Sequence, residues 1–143
     1  MGKRRDGRVL ATQFLYAWEC REPDRHEWKE EWALFLEMTE PAASVKNFAF
    51  PRIEGVLSHR EELDKQLSQV SQNWDLDRMA IVDRCILRQA LFEILHCDDV
   101  PPVVAINEAI ELAKDLSTPE SGKFVNGLLD RIRKELKPHS SSQ

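Results

Sequence analysis

The residues of this sequence that are most suited to binding a ligand are a dense basic cluster and a tyrosine that follows it. Lys3, Arg4, Arg5 and Arg8 stand within six positions, and Tyr16 follows eight residues after the last of them. Guanidinium groups form paired hydrogen bonds with phosphates, and an exposed aromatic ring stacks on an unpaired base. The pattern favours contact with a nucleic acid. The alternative is a disordered basic tail that only aids solubility.

The charge of the whole chain makes this cluster stand out. The chain has 143 residues and a net charge of −5, with 20 basic and 25 acidic side chains. Residues 1–8 contain four of the basic residues and one acidic residue, which leaves 16 basic and 24 acidic residues, or −8, for the rest. Contact with a polyanion is therefore expected only near the N-terminus, because the acidic remainder repels it.

Helical geometry places part of the cluster beside the tyrosine. At about 100° per residue, Arg5 and Tyr16 lie about 20° apart around a continuous helix. Thr12 falls near the same line, and Arg8 lies about 60° to one side. We expect these side chains to share one face, separate from the apolar stripe that begins at Leu10. The alternative is that Tyr16 packs half-buried against a neighbouring helix.

A second polar stretch, ESGKFVNG, runs from Glu120 to Gly127. It lies at a predicted helix start, where free backbone N–H groups favour anions. Lys123 adds positive charge, Phe124 an aromatic ring and Asn126 a hydrogen-bonding amide. Taken alone, the stretch favours Phe124 as a core residue over a ring that stacks on a base.

The motifs of common enzymes are missing from the sequence. The four histidines are scattered without paired ligand spacing, and there is no P-loop, GxGxxG or GxSxG. We therefore expect no catalytic residue, no metal and no cofactor. Cys20, Cys85 and Cys97 form no CxxC and are predicted to be free, buried or half-buried thiols in a reducing compartment. No apolar run approaches the ~18–20 residues of a membrane span, so a cytoplasmic protein without membrane contact is expected.

Apolar residues keep helical spacing over nearly the whole chain. The pattern predicts an all-α fold of six or seven helices, three or four before about residue 74 and three after it. The expected architecture is two small packed helical bundles, residues 1–74 and 75–137, with a disordered tail over 138–143. Arg88 lies on an otherwise core-forming helix, and we interpret it as pairing with a carboxylate or capping carbonyls between the bundles.

Capping residues and prolines predict where three of the helices begin. Pro51 suggests that the helix of a long apolar segment starts near it. Asp75 or Asp77 is the expected cap of the helix that contains Arg88. Ser117 or Thr118 is the expected cap of the last helix, with a proline in its first turn.

Three stretches carry a resemblance to a known family. They are RRDGRVLATQFLYAW at the start, AIVDRCILRQALFEI in the middle and VPPVVAINEAIELAKDLSTPESGKFVNGLLDRI toward the end. Together they resemble the NusB family of bacterial transcription antitermination factors. The resemblance extends over the ordered chain, is strongest over residues 78–133 and is weakest over residues 22–75.

The resemblance implies an all-helical, non-enzymatic protein with defined partners. NusB proteins bind the boxA sequence of nascent RNA, notably in ribosomal RNA operons, together with NusE, a small-subunit ribosomal protein. The pair joins NusA and NusG on RNA polymerase and suppresses termination. The resemblance leaves a homodimer open, since some members of the family are dimers that hide the RNA face.

Roles for individual residues come from the same resemblance. The RNA-binding residues that it implies lie on the first helix and at the start of the last one: Arg4, Arg5, Arg8, Tyr16, Glu120, Lys123, Phe124 and Asn126. Lys3 is added to them as a member of the basic cluster. Asp83 matches an acidic position associated with NusE contact. Asp6 and Gly7 interrupt what is often a fuller arginine- and alanine-rich run. We expect modest RNA affinity without the partner protein.

Two other functions stay open at this point. A NusB-like domain also occurs in front of a ribosomal RNA cytosine methyltransferase, although the large α/β cofactor domain of such an enzyme is not in this sequence. A purely structural helical adaptor with an incidental basic tail is the remaining alternative.

Overall fold

Seven α-helices make up the computed structural model, which describes residues 2–21, 27–70 and 79–136. They are α1 (Lys3–Glu19), α2 (Trp28–Thr39), α3 (Ala43–Ser58), α4 (Arg60–Val70), α5 (Ile81–His96), α6 (Pro102–Leu116) and α7 (Pro119–Leu136). No strand occurs in these ranges, so the all-α prediction is confirmed. None of these helices combines the length and apolarity that a membrane crossing requires. The predicted tail over 138–143 lies outside the described residues.

The last helix begins where its sequence predicts. The backbone N–H of Ser121 donates to Thr118 Oγ1 at 3.1 Å, which is the hydrogen bond of a helix cap. Pro119 occupies the first helical position, where its missing N–H has no cost. The cap prediction at Thr118 is therefore confirmed.

Two of the predicted helix starts are wrong. Pro51 is the ninth residue of α3, which begins at Ala43 because residues before the proline, such as Ala49, are already buried in the core. A mid-helix proline removes a single hydrogen bond, and here it lies on the exposed side of the helix. Helix α5 begins at Ile81 behind Ala80, so neither Asp75 nor Asp77, which lie outside the described residues, is its cap.

Helix α5 is the central element, and all other helices except α2 pack against it. Helix α1 lies mainly on α3 and secondarily on α5, while α6 pairs with α7. Buried apolar residues from the first to the last helix form one hydrophobic cluster. The division into bundles at about residue 74 stays a prediction. The contact of α1 with two helices decides which of its side chains are accessible.

Close helix contacts depend on two glycines. A Cβ on Gly7 of α1 would lie 2.5 Å from the ring of Phe48 in α3, and a Cβ on Gly55 of α3 would lie 2.0 Å from the ring of Phe92 in α5. Gly7, which interrupts the basic run, therefore allows α1 to approach α3.

Candidate nucleic-acid interface

The exposed face of α1 carries positive charge at its start and an aromatic ring further along. Lys3 and Arg4 are exposed at the first turn, and Arg5 is partly exposed. Tyr16 is 45% exposed, three turns further on. Of the two expectations for Tyr16, the accessible ring is the one that the structure bears out. This face offers cations and a stacking surface to a ligand.

Arg5 is held by a carboxylate from another helix. Its Nε and Nη2 donate to the two carboxylate oxygens of Glu108 in α6, each at 2.9 Å. The hydrogen bonds from Arg5 lower the pKa of Glu108 below its usual value, while Glu108 raises the pKa of Arg5. A phosphate would offer Arg5 the same paired geometry that Glu108 now provides. Glu108 falls off the apolar stripe of α6, so the sequence pattern alone does not indicate this pair.

Arg8 lies in the interior instead of on the exposed face. It is 4% exposed, and its Nε and Nη2 donate to the carboxylate of Glu93 in α5 at 2.9 Å and 3.0 Å. Arg52 of α3 donates to the same carboxylate at 2.8 Å. The guanidinium carbons of Arg8 and Arg52 lie 5.2 Å and 3.8 Å from the ring centroid of Phe48. These contacts leave Arg8 little access to a phosphate.

Thr12 is buried as well, so the predicted face shared by Arg5, Arg8, Thr12 and Tyr16 is wrong. Its hydroxyl donates to the carbonyl of Arg8 at 2.9 Å and accepts from Gln89 Nε2 at 2.8 Å. The physical reason is that α1 packs on both α3 and α5. The buried part of the circumference of α1 is therefore wider than its apolar stripe. It includes polar residues, whose side chains have hydrogen-bond partners inside the protein.

An open groove extends from the tyrosine toward the last two helices. It has a volume of about 270 Å³ and is lined by Thr12, Gln13 and Tyr16 of α1, Val82 of α5 and Leu116 of α6. Leu116 is followed directly by the short connection into α7. The groove therefore reaches from the ring of Tyr16 to the end of α6, three residues before α7 begins.

The start of α7 presents three of its four predicted residues to solvent. Glu120, Lys123 and Asn126 are exposed. Phe124 is half-buried and packs against the hydrophobic cluster, which fits the preferred interpretation of this ring as a core residue. The accessible groups here are a carboxylate, an ammonium and an amide.

Asp83 is buried and fixes α7 to α5. Its Oδ2 accepts from the hydroxyl of Ser121 at 2.9 Å, and the same hydroxyl lies 2.9 Å from Ser117 Oγ and 3.2 Å from Thr118 Oγ1. Asp83 Oδ1 has no hydrogen-bond partner among the described residues. The network holds the first turns of the two helices together. Ser121 was not singled out from the sequence, although its place in the first turn of a capped helix was visible there.

Arg88 connects three helices, and its predicted carboxylate pairing is confirmed. Its guanidinium donates to both oxygens of Asp64 in α4, at 2.7 Å and 3.1 Å, and to Glu19 of α1 at 3.4 Å. It is buried. This arginine joins α5 to α4 and α1 inside the protein.

The comparison with protein families decides where the chain belongs. The model of the NusB family matches residues 5–134. The chain belongs to the NusB family. The match includes Arg5, Arg8 and Tyr16 of α1 and almost all of α7, the two elements that present the candidate interface.

Relatives named as NusB antitermination proteins match the chain over most of its length. The transcription antitermination protein NusB of Desulfosudis oleivorans is 45% identical, over 95% of this chain and 88% of that protein. The protein of the same name from Geobacter sulfurreducens is also 45% identical, over 95% of this chain and 97% of its own length.

Solved structures of NusB share the fold. The structure of T. maritima NusB superimposes with a TM-score of 0.82 at 35% identity, covering 96% of this chain and 94% of that one. A crystal structure of antitermination factors NusB and NusE in complex with double-stranded RNA gives a TM-score of 0.82 at 25% identity, covering 94% of this chain and 98% of that one. The predicted all-α, NusB-like fold is therefore confirmed.

Proposed function

We propose that this protein is a non-enzymatic transcription antitermination factor that binds boxA RNA together with NusE during transcription of ribosomal RNA operons. Relatives over nearly the whole chain are named as transcription antitermination proteins. A structural neighbour of the same fold is a NusB–NusE complex with RNA. The complex joins NusA and NusG on RNA polymerase, and it acts in the cytoplasm, where bacterial transcription takes place.

The observation that carries the proposal is the accessible face of α1 beside the groove. Lys3 and Arg4 are exposed, Tyr16 lines the groove, and the groove ends beside the connection into α7. Lys123 and Asn126 are exposed at that helix start. An RNA strand needs cations for its phosphates and flat or polar groups for its unpaired bases, and this surface offers both.

The role proposed for each side chain follows from its exposure to solvent. Lys3, Arg4 and Arg5 bind phosphates, which provides affinity without sequence preference. Tyr16 stacks on a base, and Asn126 reads a base edge through its amide. Arg5 exchanges Glu108 for a phosphate when RNA binds.

In this proposal Arg8 and Asp83 do not contact RNA but hold the helices that do. Arg8 orients α1 through Glu93, and Asp83 orients the start of α7 through Ser121. Residues 9–143 carry a net charge of −8. This negative charge complements the positive charge of NusE, a basic ribosomal protein. The net negative charge repels bulk nucleic acid and keeps RNA on the α1 face.

A salt-dependent binding experiment tests the α1 face. The variant Arg4→Glu/Arg5→Glu should lose at least about tenfold in affinity for boxA RNA. The slope of log K against log salt should also fall by about 0.7 for each lost phosphate contact on a single strand. The matched control is Lys65→Glu/Arg131→Glu, which reverses two exposed charges elsewhere and should bind nearly as wild type does. Equal losses in both variants would contradict a local site.

A second experiment tests the sequence preference and the partner. Wild type should prefer boxA over a scrambled RNA, and NusE should strengthen only the boxA complex. Tyr16→Ala should reduce boxA affinity roughly fivefold or more, while Tyr16→Phe keeps the ring and the affinity. Light scattering on the same samples measures whether a homodimer forms. Equal affinity for both RNAs, with and without NusE, would favour a structural adaptor.

A further inference from the structure

Two imidazoles and a carboxylate converge where α3, α4 and α5 meet. His59 follows the last residue of α3, Glu62 lies in the first turn of α4, and His96 is the last residue of α5. Their ligand-type atoms all lie within 4.8 Å of one another. The two imidazole centroids are 4.3 Å apart, and His96 Nε2 lies 3.5 Å from Glu62 Oε1. None of these residues belongs to the α1 face, the groove or the start of α7.

Helix packing brings the two histidines together. Gly55, one turn before His59, allows the ring of Phe92 to lie directly on α3. Phe92 is one turn before His96 and stacks on it with centroids 5.2 Å apart, while His59 lies 5.7 Å from the same ring. The imidazoles are therefore held by the core beneath them.

The ring of His59 is oriented in the way that suits a metal ligand. Its Nδ1 lies 2.9 Å from the carbonyl oxygen of Gly55. A carbonyl oxygen only accepts, so in the neutral imidazole, the form that binds a metal, Nδ1 carries the proton and Nε2 has the free lone pair. Imidazoles that bind metals usually have the other ring nitrogen hydrogen-bonded in this way to a backbone carbonyl or carboxylate.

The electrostatic surroundings favour a cation. His96 lies at the C-terminus of α5, where the carbonyl ends of the peptide dipoles are negative. His59 lies between the C-terminus of α3 and the N-terminus of α4, so the helix dipoles there offset each other. Glu62 adds a full negative charge. The nearby guanidinium of Arg60 is compensated, because it donates to Glu19 Oε2 at 2.7 Å. An adjacent open cavity of about 530 Å³, lined by Ser58, Glu61 and Asp64 among others, gives solvent and ions access.

We propose that His59, Glu62 and His96 form a binding site for one divalent transition-metal ion of the zinc type. Two imidazoles and one carboxylate suit zinc, cobalt and nickel, with bond lengths of about 2.0–2.2 Å and the remaining positions filled by water. The side chain of Glu62 is partly exposed and can turn toward an ion held between the two imidazoles. A bound ion fastens the α3–α4 junction to the end of α5.

Metal binding to tag-free protein tests the site. Isothermal titration with Zn²⁺ should show one saturable ion per chain, and Co²⁺ should give the visible absorption of a nitrogen- and oxygen-ligated ion. The variants His59→Gln, His96→Gln and Glu62→Gln should each lose at least about tenfold in Zn²⁺ affinity. Zn²⁺ should also raise the Tm of wild type more than that of these variants, since a ligand that binds only the folded state stabilises it.

Matched control variants distinguish this site from nonspecific metal binding. Glu61→Gln removes the neighbouring exposed carboxylate outside the cluster and should keep wild-type affinity. Glu62→Gln changes an exposed side chain, so it remains informative if a histidine variant fails to fold. The proposal is overturned if wild type shows no saturable Zn²⁺ binding, or if Glu62→Gln and Glu61→Gln bind Zn²⁺ equally.

Discussion

Arg8 Nε lies 2.9 Å from Glu93 Oε2, and this ion pair joins α1 to α5 inside the protein. Glu93 is 1% exposed and also accepts from Arg52 of α3 at 2.8 Å. One buried carboxylate thus holds two guanidinium groups, and the electron-rich face of Phe48 lies against both. Helices α1, α3 and α5 are connected through this carboxylate.

Removing the carboxylate should therefore destabilise the protein strongly. Glu93→Gln leaves two buried guanidinium groups without a counter-charge, and we expect a loss of about 3–5 kcal/mol in the free energy of unfolding. Urea denaturation followed by circular dichroism measures it. The control Glu54→Gln changes an exposed carboxylate on α3 and should cost less than about 0.5 kcal/mol. Similar losses in the two variants would show that the buried triad adds no particular stability.

The pair between Arg5 and Glu108 predicts a gain of RNA affinity. If Arg5 must leave Glu108 to bind a phosphate, then Glu108→Gln should free it and strengthen boxA binding by about two- to fivefold, since partly exposed pairs contribute up to about 1 kcal/mol. Filter binding at matched salt measures the change.

The control for that variant is a neighbouring carboxylate with the same charge. Glu111 lies on the same helix and attracts Arg5 without a hydrogen bond to it. Glu111→Gln removes the same charge, and a smaller gain is expected from it. Equal gains would mean that general repulsion by α6, not release of Arg5, limits affinity.

Sequence patterns predicted the helical fold well because apolar residues recur at helical spacing, although they misplaced the starts of α3 and α5. The pairing of Arg88 was also predictable, since a charged residue on a core-forming helix needs a partner. The burial of Arg8 and Thr12 was not, because it depends on α1 contacting two helices at once. The cluster of His59 and His96 was not predictable either. The two residues are 37 positions apart in the sequence, and the contact between Gly55 and Phe92 brings them together.

That glycine contact makes a prediction of its own. Gly55→Ala places a methyl group against the ring of Phe92, and we expect a loss of about 1–3 kcal/mol in the free energy of unfolding from overpacking. Gly127→Ala is the matched control, because its added Cβ meets nothing within 4 Å, and it should stabilise α7 by up to about 1 kcal/mol. Thermal unfolding measures both changes. A stabilised Gly55→Ala protein would contradict the close contact between α3 and α5.

The three cysteines should react in a fixed order. Cys20 is exposed, in contrast to the predicted burial, whereas Cys97 is half-buried and Cys85 is buried. Burial raises the pKa of Cys85 to about 12 and also raises the pKa of Cys97. The thiolate is the reactive form, so at pH 8 the Cys85 thiol stays protonated as well as inaccessible. We expect a chromogenic disulfide reagent to modify Cys20 first, Cys97 more slowly, and Cys85 only after denaturation. Cys20→Ser should remove the fast phase, and rapid modification of all three thiols in the native protein would contradict the packing of α5.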